Sequence, residues 1–128
     1  MIVDSSALVA IVLQESQYQT LVQRLSAAPA VAIGSPTLVE TAIVLSARLQ
    51  TDARGLLARL VQEFSIEVVP FTPAHFGVAV EAWSSFGRGR HPANLNFGDC
   101  LTYAMARLSN RPLLCVGNDF SQTDLVLA

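Results

Sequence analysis

The chain has 128 residues, ten acidic and eight basic side chains, a formal charge of −2 and 52% hydrophobic residues. That length predicts one domain over residues 1–128, and the apolar content excludes a disordered chain. Every basic side chain is arginine, so a P-loop lysine, a Schiff-base lysine and a receiver-type phosphorylation lysine are all excluded.

In chain order, Ile2 to Asp4 reads as a short buried strand. A helix follows from Ser5 to Leu13, with Asp4 or Ser5 as its N-cap. A second helix is predicted over Ser16–Ala27, then a short strand over Ala30–Ile33 closed by Gly34. Ser35 is placed as N-cap of the next helix, with Pro36 in its first turn. Thr51–Phe64 predicts an amphipathic helix starting near Asp52, Ile66–Val69 a strand, and Pro73–Phe86 a helix. GRGRHPANLN is a Gly/Pro/Asn-rich loop carrying Arg88, Arg90 and His91. A helix then starts at Asn96 and ends at Asn110. Pro112–Val116 reads as a strand, GNDF as a turn and LVLA as a last short strand.

Short apolar strands alternating with helices predict an α/β chain whose central, mostly parallel sheet is covered on both faces. In such folds ligands bind at the carboxyl ends of the strands. No run of about 18 apolar residues is present, which argues against a membrane span. Asp4 interrupts the first apolar run and no basic stretch precedes it, which argues against a signal peptide. Cys100 and Cys115 have neither zinc nor CxxC spacing and read as reduced packing residues of a cytoplasmic protein.

The acids divide into two groups. Glu15, Asp52, Glu63, Glu67 and Glu81 fall on helix surfaces or loops, where solvated carboxylates are ordinary. Asp4 and Asp119 instead fall at the carboxyl ends of predicted parallel strands, and Asp99 in the first turn of its helix. Glu40 shares a helix face with Ile43, Val44 and Ala47, read as the apolar face, while Thr37, Thr41 and Arg48 mark a polar line. Asp124 follows Asp119 closely and is placed beside the same site. Singly, each acid has a plain explanation, such as Asp4 capping a helix or Asp99 completing a capping box with Asn96. Together, carboxylates converging on one sheet edge would repel unless a cation neutralised them. An all-oxygen site favours Mg²⁺ or Mn²⁺, and such sites suit phosphodiester hydrolysis. His75 and His91 are isolated, and neither a Ser-His-Asp arrangement nor a Gly-rich phosphate loop is present.

The segments MIVDSSALVAIVL, SPTLVETAIVLSAR, LNFGDCLTYAMA and PLLCVGNDFSQTDL resemble the PIN-domain ribonucleases, more closely the VapC toxins of bacterial type II toxin–antitoxin pairs. The family opens with a strand ending in Asp followed by a Ser-rich turn, which Asp4, Ser5 and Ser6 match. Its second acid lies on the helix after strand two, as Glu40 does; its third in an N-x-x-D helix start, as Asn96 and Asp99 do; its fourth in a G-x-D-F turn, as Asp119 does. The resemblance runs along essentially the whole chain. It implies a three-layer α/β/α sandwich with about five short parallel strands. It also implies Mg²⁺- or Mn²⁺-dependent RNA cleavage, a homodimer, and a cognate VapB-type antitoxin that blocks the site. On this reading Asp4, Glu40, Asp99 and Asp119 are catalytic metal ligands, with Ser6, Asn96 and Asp124 supporting them. Targets in the family are often tRNAs or rRNA loops.

Arg88, Arg90 and His91 are the residues expected to meet RNA phosphates. The helices over Ser16–Ala27 and Thr51–Phe64 offer Val22, Leu25, Leu56, Leu57, Leu60 and Val61 either to the core or to an antitoxin helix. Trp83 and Phe86 read as core or dimer contacts. Two other functions fit the same residues: a PIN-like module that binds RNA or a partner without cutting, and a PIN nuclease of RNA processing.

Overall fold

A computed structural model describes residues 1–128. Six helices and four strands alternate: β1 (Ile2–Val3), α1 (Ser5–Val12), α2 (Tyr18–Ala27), β2 (Val31–Gly34), α3 (Ser35–Leu49), α4 (Arg54–Glu63), β3 (Ile66–Val69), α5 (Pro73–Phe86), α6 (Phe97–Ser109) and β4 (Leu113–Leu114). The strands form one parallel sheet in the order β3-β2-β1-β4.

Successive strand residues point to opposite faces, and the two halves of the core follow that alternation. Val3, Val31, Ile33, Ile66 and Leu114 pack with α1, α2, α4 and Leu45 of α3 on one side. Ile2, Ala32 and Leu113 pack with Ala79 and Ala82 of α5 and with Tyr103, Ala104 and Met105 of α6 on the other. Both faces are therefore covered, which gives the three-layer sandwich. Val22, Leu25, Leu57, Leu60 and Val61 belong to or pack on the first core, and Leu56 is exposed. The faces of α2 and α4 thus serve mainly as core.

The expected fifth strand contracts to one bridge. Leu127 pairs in parallel with Leu113, through Leu113 N to Val126 O and Ala128 N to Leu113 O, and no ladder extends from it. Helix α2 starts at Tyr18, later than expected, because Gln17 takes a left-handed backbone conformation with φ 68°. Gly34, not Ser35, holds the N-cap position of α3. The Ser35 hydroxyl instead accepts from Phe71 N at 3.3 Å, tying the start of α3 to the segment after β3. Helix α4 begins after Asp52, which grips Arg54 through its amide and guanidinium.

The largest departure concerns α3. Its buried side carries Thr37, Thr41 and Leu45; of the side read as apolar, Ile43 is 64% exposed and Ala47 exposed, and Val44 is half-buried against the first core. Threonine can bury when its hydroxyl is satisfied. Thr41 Oγ1 donates to Thr37 O at 2.7 Å, and Thr37 Oγ1 lies 3.1 Å from Thr102 Oγ1. No helix is long and apolar enough to cross a membrane.

Candidate metal-binding and catalytic site

The four acids arrive from four elements at the carboxyl edge of the sheet. Asp4 leaves β1, and its amide still donates to Leu114 O at 2.9 Å across the central strand pair. It is also the N-cap of α1: Oδ2 accepts from Ser6 N at 3.1 Å and Ser6 Oγ at 2.6 Å. Its other oxygen accepts from Thr102 Oγ1 at 2.8 Å. Asp4 is 5% exposed and receives three hydrogen bonds, yet no cation pairs with it. Ser6 Oγ in turn accepts from Val116 N at 3.0 Å, linking α1 to the segment leaving β4.

Glu40 sits on the second turn of α3, and Ser5 Oγ donates to its Oε1 at 2.8 Å. Its carboxylate lies against Gly98, where a Cβ would collide with Oε2. Glycine at position 98 is therefore what lets Glu40 reach the first turn of α6, whose N-terminal amides favour negative charge. Asp99 occupies that same turn. Its Oδ2 accepts from Asn96 N at 3.0 Å, while Asn96 Oδ1 accepts from Asp99 N at 2.9 Å. This reciprocal capping box leaves Oδ1 free and fixes the acid in place. Asp119 lies in the exposed turn after β4, and the buried Phe120 anchors that turn in the second core.

These charges sense one another. Asp99 is pushed up to about 6, first by burial and then by the charges of Asp4, Asp119 and Glu40, against the lowering effect of the Asn96 amide. Cys115, half-buried beside them, is pushed up to about 11 by burial and by Asp4, Asp119 and Asp99. Both ion pairs in the protein lie elsewhere, at Arg54–Asp52 and Arg107–Asp124. The site is thus an all-oxygen, uncompensated anionic cluster, the donor chemistry that suits a hard divalent cation. In the arrangement described, no three His, Cys, Asp or Glu groups stand close enough to hold an ion between them. Ser5, Ser6 and Asn96 each hold one of these carboxylates, Glu40, Asp4 and Asp99 in turn, by a hydrogen bond.

Asp124 does not join the cluster. Tyr103 donates to its Oδ1 at 2.6 Å and Arg107 stands 3.7 Å from Oδ2, so it ties the chain after Asp119 to α6. In the loop between α5 and α6, Arg88 is exposed. The Arg90 guanidinium lies 4.1 Å from the centroid of the Trp83 ring. His91 accepts from Ala93 N at 3.0 Å and meets the Phe86 ring edge-on, so both side chains have partners within the loop region. Ser5, Thr37, Gly98 and Thr102 are the residues that sequence reasoning missed. Helical spacing carried a signal for two of them: Thr37 precedes Glu40 by three positions and Thr102 follows Asp99 by three.

Comparison with known proteins gives the family of the chain. The family model for the PIN domain matches residues 1–125. A VapC ribonuclease of Mycobacterium bovis and the ribonuclease VapC36 of Mycobacterium tuberculosis are each 48% identical over 126 residues, covering 98% of this chain and 91% of theirs. The crystal structure of Mycobacterium tuberculosis VapC20, a Sarcin-Ricin loop cleaving toxin, superposes with a TM-score of 0.81 at 20% identity over 99% of this chain and 97% of that one. VapBC2 of Rickettsia felis, bound to a DNA fragment from its promoter, gives 0.72 at 17% identity over 99% and 96%. With four acids set at the carboxyl edge of a parallel sheet and relatives matched along nearly its full length, this chain belongs to the PIN-domain family, among the VapC proteins.

Proposed function

We propose that this chain, as one domain over residues 1–128, is a Mg²⁺- or Mn²⁺-dependent endoribonuclease. It acts in the cytoplasm as the toxin of a toxin–antitoxin pair and is inhibited by a cognate VapB-type antitoxin. The observation that carries the reading is the uncompensated cluster of Asp4, Glu40, Asp99 and Asp119, in which burial and then the charges of the other three acids lift Asp99 to about 6. Asp4, Glu40 and Asp99 would hold the ion and Asp119 would complete the site. A bound divalent ion supplies an activated water and neutralises charge developing on the phosphate. Ser6 and Asn96 orient Asp4 and Asp99, and Arg88 would pair with the RNA backbone. The names of the relatives support the nuclease activity, and solved toxin–antitoxin complexes of the same fold, including one from Klebsiella pneumoniae, support the partner.

The test is cleavage of total RNA by purified protein with Mg²⁺ or Mn²⁺ and with EDTA. Asp4→Asn, Glu40→Gln and Asp99→Asn are each expected to abolish metal-dependent cleavage. Full activity in all three variants would overturn the assignment. RNA binding without cleavage by the unmodified protein would favour a non-cutting module.

A homodimer is part of the same reading. Val39, Ile43, Phe76, Val80, Trp83 and Phe97 are 46–80% exposed and surround two joined hollows of about 600 and 400 Å³ that share Phe97 and Leu101. From ordinary side-chain areas these six expose roughly 600 Å² per protomer. That is most of the about 800 Å² per partner of a stable interface. Phe97 protrudes beside hollows on its own face, and a surface holding both a knob and a hole suits a two-fold contact. Phe76→Glu, away from the acids, is expected to shift the protein toward monomer in light scattering.

A further inference from the structure

The protein has four buried polar side chains: Asp4, Thr37, Thr41 and Thr102. Three of them, Thr37, Thr102 and Asp4, form one chain of side-chain hydrogen bonds, and Thr41 bonds the backbone carbonyl of Thr37. Thr41 Oγ1 donates to Thr37 O, Thr37 and Thr102 meet hydroxyl to hydroxyl at 3.1 Å, and Thr102 Oγ1 donates to Asp4 Oδ1 at 2.8 Å. A hydroxyl carries one proton. Thr102 gives its proton to Asp4, so at the Thr37–Thr102 contact Thr37 is the donor and Thr102 the acceptor. The chain therefore has a direction, and it points at a carboxylate.

Its placement matters as much as its direction. Thr37 lies on α3 one turn before Glu40, and Thr102 lies on α6 one turn after Asp99. The hydroxyl pair clamps the two acid-bearing helices to each other and then both to the end of β1. No cation performs this task, because no arginine reaches the cluster. Every buried polar side-chain atom is satisfied, so loss of one hydroxyl orphans its neighbours.

We propose that Thr102, backed by Thr37, is the positioning residue of the divalent-cation site: it holds Asp4 Oδ1 in place and sets the spacing of Asp4, Glu40 and Asp99. This rests on the metal-dependent reading above. Thr102 acts through Asp4 and does not itself touch substrate.

The experiment measures Mn²⁺ affinity by calorimetry, without RNA, for the unmodified protein, Thr102→Val, Thr102→Ser and Thr37→Val, each checked for folding by circular dichroism. Thr102→Val keeps the shape and removes the hydroxyl. It is expected to weaken Mn²⁺ binding about 10- to 100-fold, the usual effect of losing a hydrogen bond to a metal ligand. Thr102→Ser keeps the hydroxyl and drops the methyl, so it is expected to bind within about threefold of the unmodified protein while unfolding at a lower temperature. Thr37→Val, which leaves the Thr102–Asp4 bond in place, is expected to fall between them. A purely structural role would make affinity follow stability and not the hydroxyl. Equal affinity in Thr102→Val and the unmodified protein overturns the proposal while leaving the metal reading intact. Absence of Mn²⁺ binding in the unmodified protein overturns both.

Discussion

Replacing Asp99 by Asn is expected to make the metal-free protein more stable at neutral pH. Asp99 is raised from 3.8 to about 6 by burial and by the charges of Asp4, Asp119 and Glu40. A carboxyl whose folded value exceeds its unfolded value binds more protons folded than unfolded between the two. Stability therefore falls as pH rises through that window, and the whole cost is present above about 6. Two units correspond to about 3 kcal/mol, and because Asp99 is only partly buried, solvent screening reduces this to about 1 kcal/mol. Asparagine keeps an oxygen to accept from the Asn96 amide, so the capping box survives the change. Thermal unfolding in EDTA should then show the variant melting about 4 °C higher near neutral pH. The gain should shrink as pH falls and vanish by about pH 4. Excess Mn²⁺ should reverse the order, raising the unmodified protein and leaving the variant nearly unchanged. A variant no more stable than the parent at neutral pH, or a gain that persists unchanged in acid, would refute the reasoning.

Three further outcomes are expected. Gly98→Ala should displace the Glu40 carboxylate, cutting RNA cleavage by about tenfold or more while leaving stability within about 1 kcal/mol, since alanine favours the helix; cleavage rates and melting curves check both halves. Asp124→Ala should leave cleavage within about twofold and lower stability by about 1 kcal/mol, because its partners are Tyr103 and Arg107 and not the other acids; the same two assays decide. Arg88→Ala should weaken RNA binding and reduce the slope of log affinity against log salt by about 0.7, as expected for one lost phosphate contact on a single strand; filter binding over a salt series measures it.

How far the sequence carried can be judged element by element. Asp4 and Asp119 are legible at strand ends because the short apolar runs over Ile2–Val3 and Leu113–Val116 stand directly before turn residues. Asp99 was placed because the N-x-x-D spacing reads as a helix start, and the reciprocal Asn96 bonds bear that out. The face of α3 was misread for a physical reason: threonine counts as polar until its hydroxyl finds a partner, and Thr37 and Thr41 find theirs across the core and along the helix. Asp124 was drawn to the cluster by its nearness in sequence to Asp119, and the partner that holds it, Tyr103, lies 21 residues away. LVLA has a strand's composition, but a single bridge, Leu127 opposite Leu113, is all that joins it to β4.

Strand β1 is two residues long, and its two side chains feed opposite halves of the core: Ile2 one way, Val3 the other. Both halves are closed, so the strand acts as a parity device for the residue that follows. Inserting or deleting a single residue between Met1 and Asp4 would either exchange the core partners of the strand side chains or turn the carboxylate away from Thr102. Substitutions within the strand change its packing by degrees, whereas a change in its length swaps the faces of the sheet at one step. The position of Asp4 is in that sense counted out by the chain, and the tolerance of this segment to sequence change should differ sharply from its tolerance to changes in length.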